Sequence, residues 1–118
     1  MYLHENLYAT FLTKFKAKCD AVRWKGTPWP SGDAALHDSA IDKAYEWGPL
    51  QNRAHFQRIQ DGIEKAKREG SKVLCGAEYA DPDQEGFFIR PTAFCDVDDD
   101  AFICKEEVFG PVLAICTP

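Results

Sequence analysis

The residues best equipped for chemistry are five cysteines, three histidines and a run of acids toward the C-terminal end. Asp96, Asp98, Asp100 and Glu107 fall in the register of a calcium-binding loop, which takes ligands at its first, third, fifth and twelfth positions. That loop also needs a glycine at its sixth position, where this chain has Ala101, and a helix on each side. FFIRPTAF ahead of the acids is strand-like, and Gly110-Pro111 breaks any helix after them. The expectation is a solvated acidic loop between a strand and a turn. Zinc calls for four ligands in closely spaced pairs. Cys19, Cys75, Cys95, Cys104 and Cys116 contain no CxxC, and His4, His37 and His55 are scattered, so no metal site is assigned. An odd set of cysteines spread in this way reads as reduced, mostly buried thiols, not as a disulfide framework.

Acid–base and nucleophilic chemistry find little support. Glu106 and Glu107 are adjacent, and neighbouring residues in extended chain point to different sides, so they do not converge on one substrate. His55 has no serine or cysteine at a spacing that sequence links to it, and it reads as a lone surface histidine. No GxGxxG and no GxxxxGK[ST] is present, so the chain has no phosphate-cradling turn of its own.

Residues 1–4 (MYLH) read as the tail of a strand. From Asn6, a possible cap, Leu7, Phe11, Phe15, Cys19 and Val22 recur at helical spacing. WKGTPWPSGD, residues 24–33, is a loop by virtue of its prolines and glycines, and a short helix over 33–45 ends before Gly48-Pro49. Between Leu50 and Glu69, Phe56, Ile59, Ile63 and Ala66 step by three and four, and Gly70 stands where a left-handed cap belongs. Gly62 weakens that helix by about 1 kcal/mol relative to alanine. Strands are expected at Lys72–Cys75, from Phe87 to about Phe94, and at Val112–Cys116, with a DPDQEG loop between the first two. Helices packed on a small, mostly parallel sheet in an α/β layer follow from this order.

At 118 residues the chain is a single domain's worth of material, and a formal charge of −5 argues against a nucleic-acid partner. No run approaches the apolar length that crosses a bilayer, and early charges spoil a signal peptide, so no membrane partner and a cytoplasmic address are the expectations.

Beyond the residues themselves stands a resemblance. In order, YLHENLYATFLTKF, GTP, GPLQNRAHFQRIQDGIEKAKREGSKVLCGAE, EGFFIRPTAF and KEEVFGPVLAI resemble the C-terminal part of the aldehyde dehydrogenase catalytic domain. The likeness covers about residues 2–30 and 48–118 and is strongest over Phe87–Pro111, so residues 1–118 are taken as one partial catalytic domain. Residues 31–47 are longer than the family's usual connection and count as an atypical insertion.

The resemblance implies NAD(P)-dependent oxidation of aldehydes to carboxylic acids, with NAD or NADP as cofactor. It implies that Glu107 holds the ribose hydroxyls beside the nicotinamide and that Phe109 packs by that ring. The family's nucleophilic cysteine, general-base glutamate, oxyanion asparagine and dinucleotide-binding domain correspond to none of these residues, so no catalytic residue is assigned and the chain alone is expected to be inactive. The expected partner is a second copy or the remainder of the enzyme. The alternative is a non-catalytic interaction or oligomerisation module that reuses the half-domain.

Overall fold

The computed structural model describes residues 1–24, 47–83 and 85–116. All but the first residue of the loop expected over 24–33, the helix over 33–45 and most of the insertion at 31–47 lie outside the described residues. Six elements follow in order: α1 (Glu5–Ala21), α2 (Arg53–Arg68), β1 (Lys72–Cys75), β2 (Thr92–Val97), α3 (Phe102–Lys105) and β3 (Val112–Cys116).

The best-formed helix is α2, and its sequence explains both ends. Asn52 Oδ1 accepts from the His55 amide at 2.9 Å, satisfying one of the amides that a helix start leaves open. At the other end Ser71 N–H donates to Ala66 O at 3.0 Å and Gly70 N–H to Lys67 O at 3.1 Å. This is the Schellman pairing, and it needs the left-handed backbone that Gly70 adopts at φ 92°. The apolar stripe of Phe56, Ile59, Ile63 and Ala66 is buried against Ile89, Phe94, Val97 and Ile103.

The sheet has the order β1-β2-β3, antiparallel between β1 and β2 and parallel between β2 and β3. It is therefore evenly mixed, and the expectation of a mostly parallel sheet is corrected. The cause lies between Gly76 and Pro91: the segment after β1 folds back, bridging Tyr79 to Ile89, instead of crossing over through a helix. β2 also begins later than expected. Pro91 has no N–H to give a ladder, so the chain enters the sheet only at Thr92.

Within β2 a bulge at Asp96, φ 53°, shifts the register between Phe94 and Val97. It turns Val97 to the face of Phe94, where α2 packs. The amide freed at Asp96 donates to the Tyr8 hydroxyl at 2.8 Å, and that hydroxyl donates back to Asp96 Oδ1 at 2.8 Å. The opposite face carries Ala93 and packs against Cys19 and Phe15 of α1, so the helices lie on both sides of the sheet.

α1 starts one residue before Asn6, and His4 is its cap, Nδ1 accepting from the Asn6 amide at 3.2 Å. Residues 1–4 form no assigned strand. Met1 nevertheless lies alongside β3 with the bonds of a parallel pairing, its amino group donating to Ala114 O at 2.6 Å and its carbonyl accepting from Cys116 N at 3.0 Å.

The expectation of five reduced thiols is corrected at one pair. Cys19 of α1 and Cys75 of β1, 56 residues apart, form a disulfide with a Cα–Cα separation of 6.5 Å. Packing α1 across the end of β1 brings the two together, and no local spacing reveals that. Cys95, Cys104 and Cys116 are free.

Candidate functional site

The exposed turn between α3 and β3 carries both residues that sequence marks for ligand binding. α3 is a single turn that sequence does not announce, because FICK is too short for a helical period. It is held from outside: Glu69, at the C-terminal end of α2, accepts the Phe102 amide through Oε2 at 2.9 Å. Lys105 closes it with an ion pair to Asp100 at 2.7 Å. Chain direction then reverses through residues 106–111.

Glu107 is exposed, and its carboxylate makes no hydrogen bond to another described residue. Two residues on, Phe109 is 68 % exposed, an unusual position for a ring that size. Its backbone has a φ of 34°, a conformation that is costly for a residue with a bulky side chain. Two contacts hold it there. His55 lies 2.7 Å through Nε2 from the Phe109 carbonyl oxygen, which can only accept, so Nε2 is the protonated nitrogen and donates. Next to it, Gly110 is pressed against Ile59 of α2; a Cβ on Gly110 would stand 2.6 Å from Ile59 Cδ1.

His55 is the residue that sequence undervalues. It reads as a lone surface histidine, yet it ties the first turn of α2 to the carbonyl of Phe109, 54 residues away. Its Nδ1 is buried without a hydrogen-bond partner in the described structure. Asn52 caps the turn of α2 that carries His55, so the cap of one helix positions the turn that presents Phe109. A hollow of about 450 Å³ opens beside this turn, lined by Trp47, Gly48, Pro49, Leu50, Gly110 and Pro111. The turn thus presents an acceptor carboxylate and a bare aromatic face, a combination suited to a ligand carrying hydroxyls beside a planar ring.

The remaining candidates disperse. Asp96 bonds Tyr8, Asp98 Oδ1 accepts the Asp100 amide at 2.8 Å, Asp99 accepts the Tyr2 hydroxyl at 2.9 Å, and Asp100 pairs with Lys105. These acids serve the turn and its neighbours separately. Among the described residues no three His, Cys, Asp or Glu side chains group as a metal site, and none of the helices is long and apolar enough to cross a membrane. Cys95 and Cys104 are not activated. Burial, with Asp96 nearby, pushes Cys95 up, and burial with Cys116 alongside pushes Cys104 up to about 11. Both shifts run against the thiolate that nucleophilic catalysis needs.

The model of the aldehyde dehydrogenase family matches residues 1–117. Hydroxyisobutyraldehyde dehydrogenase of Mycolicibacterium austroafricanum is 34% identical over 115 residues, which are 98% of this chain and 20% of that protein. Betaine aldehyde dehydrogenase of Brucella anthropi is 34% identical over 117 residues, 98% of this chain and 21% of its own length. Among solved structures, the NAD+ complex of an aldehyde dehydrogenase from Bacillus cereus superposes with a TM-score of 0.79 at 32% identity, over 97% of this chain and 20% of that one. The chain spans about a fifth of the length of the relatives it matches.

Proposed function

The chain belongs to the aldehyde dehydrogenase family, and from that premise we propose that it supplies one edge of the cofactor site in the NAD(P)-dependent oxidation of an aldehyde to a carboxylic acid. The observation that carries the reading is the turn itself, where an exposed Glu107, without a hydrogen bond to another described residue, and an exposed Phe109 are held out by His55 and Gly110. An ionised carboxylate accepts two hydroxyl bonds and, being charged, makes stronger ones than a neutral acceptor. Glu107 therefore fits the ribose of NAD or NADP, and Phe109 fits the flank of a nicotinamide ring. When bound, the cofactor supplies the hydride acceptor.

What these residues do is orient and exclude water; they do not attack the substrate. Cys19 and Cys75 are bonded to each other, Cys95 and Cys104 are held away from the thiolate, and Cys116 is buried, so none is placed to meet a substrate. Aldehyde oxidation then rests on a cysteine, a general base and a dinucleotide-binding domain in the remainder of the enzyme, joined or bound to this segment. We place that assembly in the cytoplasm.

The test is aldehyde-dependent NADH or NADPH formation by the purified chain, alongside cofactor titration. The expected result is no turnover above a buffer blank and weak NAD binding that Glu107→Ala reduces further. Turnover by the isolated chain would overturn the reading. So would cofactor binding that is indifferent to Glu107.

A second reading is favoured by a different observation. Of the 17 residues of α1 only Cys19 is buried, and Leu3, Leu7, Phe11 and Phe15 line an open apolar groove of about 410 Å³. A non-catalytic assembly module, pairing with a second copy, would use that face.

A further inference from the structure

Four of the five cysteines meet in pairs. Apart from the Cys19–Cys75 bond, Cys104 Sγ lies 3.2 Å from Cys116 Sγ. Cys104 sits on the single turn of α3 and is half-buried, whereas Cys116 ends β3 and is 2 % exposed. The two sulfurs are in contact, and an approach of about 1 Å reaches the disulfide bond length. The third free thiol, Cys95, is buried on β2.

We propose that Cys104 and Cys116 form a dithiol–disulfide couple, a second cross-link site that ties α3 to the end of β3. The pair closes a loop 12 residues apart in sequence, and that loop contains the whole turn with Glu107 and Phe109. Oxidation at this site adds a covalent tie across the segment that contains the turn, which His55 and Gly110 already hold in the dithiol state. The inference rests on the two sulfurs and does not depend on what the turn binds.

The chemistry needs an oxidant, and a small disulfide such as oxidised glutathione is sufficient. Cys104, the more accessible thiol, loses its proton to water and attacks one glutathione sulfur. The glutathione S–S bond breaks, one glutathione thiolate leaves, and a mixed disulfide remains on Cys104. The Cys116 thiolate then attacks the Cys104 sulfur and expels the second glutathione. Two protein thiols have lost two electrons and two protons, and one glutathione disulfide has become two thiols.

Access and charge set the rate. Burial and the neighbouring Cys116 push Cys104 up to about 11; the Met1 ammonium acts in the opposite direction, while Asp99, itself bonded to Tyr2, adds to the rise. Thiolate is scarce at neutral pH, so cross-linking accelerates about tenfold per pH unit on the way up to that value.

The experiment uses the whole chain, fully reduced and then equilibrated in glutathione buffers of rising oxidised fraction. Free thiols are capped with iodoacetamide. Trypsin with an Asp-specific protease cuts before Asp100 and after Lys105, which separates Cys104 from Cys95. Mass spectrometry is expected to find residues 100–105 joined to residues 106–118, lighter by two hydrogens than the separate dithiol peptides, with Cys95 alkylated throughout. Cys95→Ser should leave that product unchanged, and Cys116→Ser should divert Cys104 to a glutathione mixed disulfide. The proposal falls if Cys104 and Cys116 are both alkylated across the range in which Cys19–Cys75 is bonded. It falls equally if cross-links distribute to Cys95; the mapping on the unaltered chain decides this even where a variant does not fold.

Discussion

At the scale of single residues, the turn after α3 depends on one atom that is missing. Gly110 does not have a left-handed backbone, so its lack of a side chain is a matter of space. A Cβ there would stand 2.6, 3.0 and 3.3 Å from Cδ1, Cγ1 and Cγ2 of Ile59, so the whole side chain would have to shift. Ile59 is 0 % exposed, so it has no free volume to move into. Gly110→Ala should therefore destabilise the chain by about 1–3 kcal/mol, the usual cost of overpacking a filled core. A urea midpoint unchanged from the parent chain would show that the turn is not pressed on α2 as described. Glu107 and Phe109 are singled out in sequence only by the resemblance over KEEVFGP, where both stand ahead of the Gly-Pro pair. Their support is not legible there, because His55 and Ile59 lie some fifty residues away and nothing local connects them.

At the scale of elements, the sequence is read most faithfully where periodicity and caps agree. Lys72–Cys75 and Val112–Cys116 form strands with the expected bounds, and α2 fills the stretch between Leu50 and Glu69. Where reading fails, a distant or backbone-level cause prevails. FICK becomes helical because Glu69 caps it from 33 residues away. The strand expected from Phe87 starts only after Pro91, which lacks the N–H that a ladder needs. Gly62 illustrates how sequence and structure combine. Its cost to α2 is legible from propensity alone, but only the packing shows whether it is needed. A Cβ on Gly62 would meet Phe102 and Val108 at 3.7 Å, ordinary van der Waals contact, and its backbone is helical. Gly62→Ala should accordingly stabilise the chain by about 0.5–1 kcal/mol, through helix propensity and a less flexible unfolded state. A lowered melting temperature would mean that α2 and α3 approach more closely than these distances say.

At the scale of the whole molecule, the two helical layers are unequal. α2 buries five residues against the sheet, and α1 buries one. Leu7 is 60 % exposed although it belongs to the apolar stripe that sequence assigns to the helix interior. The periodicity is correct, and among the described residues nothing buries the stripe beyond Cys19. The described residues place only Met1 beside β3 and leave the Leu3–Phe15 groove open. Such a face is covered in a stable protein, because apolar area returned to water costs about 25 cal/mol per Å². The purified chain is therefore expected to self-associate at micromolar concentration when nothing else covers that face. Light scattering should report a dimer or larger species, and Leu7→Glu, on an already exposed position, should shift it to monomer without lowering the urea midpoint. A monodisperse monomer of the unaltered chain would show that α1 tolerates its exposure. Self-association that survives Leu7→Glu would move the contact elsewhere, to the outer edge of β3 or to the turn around Phe109.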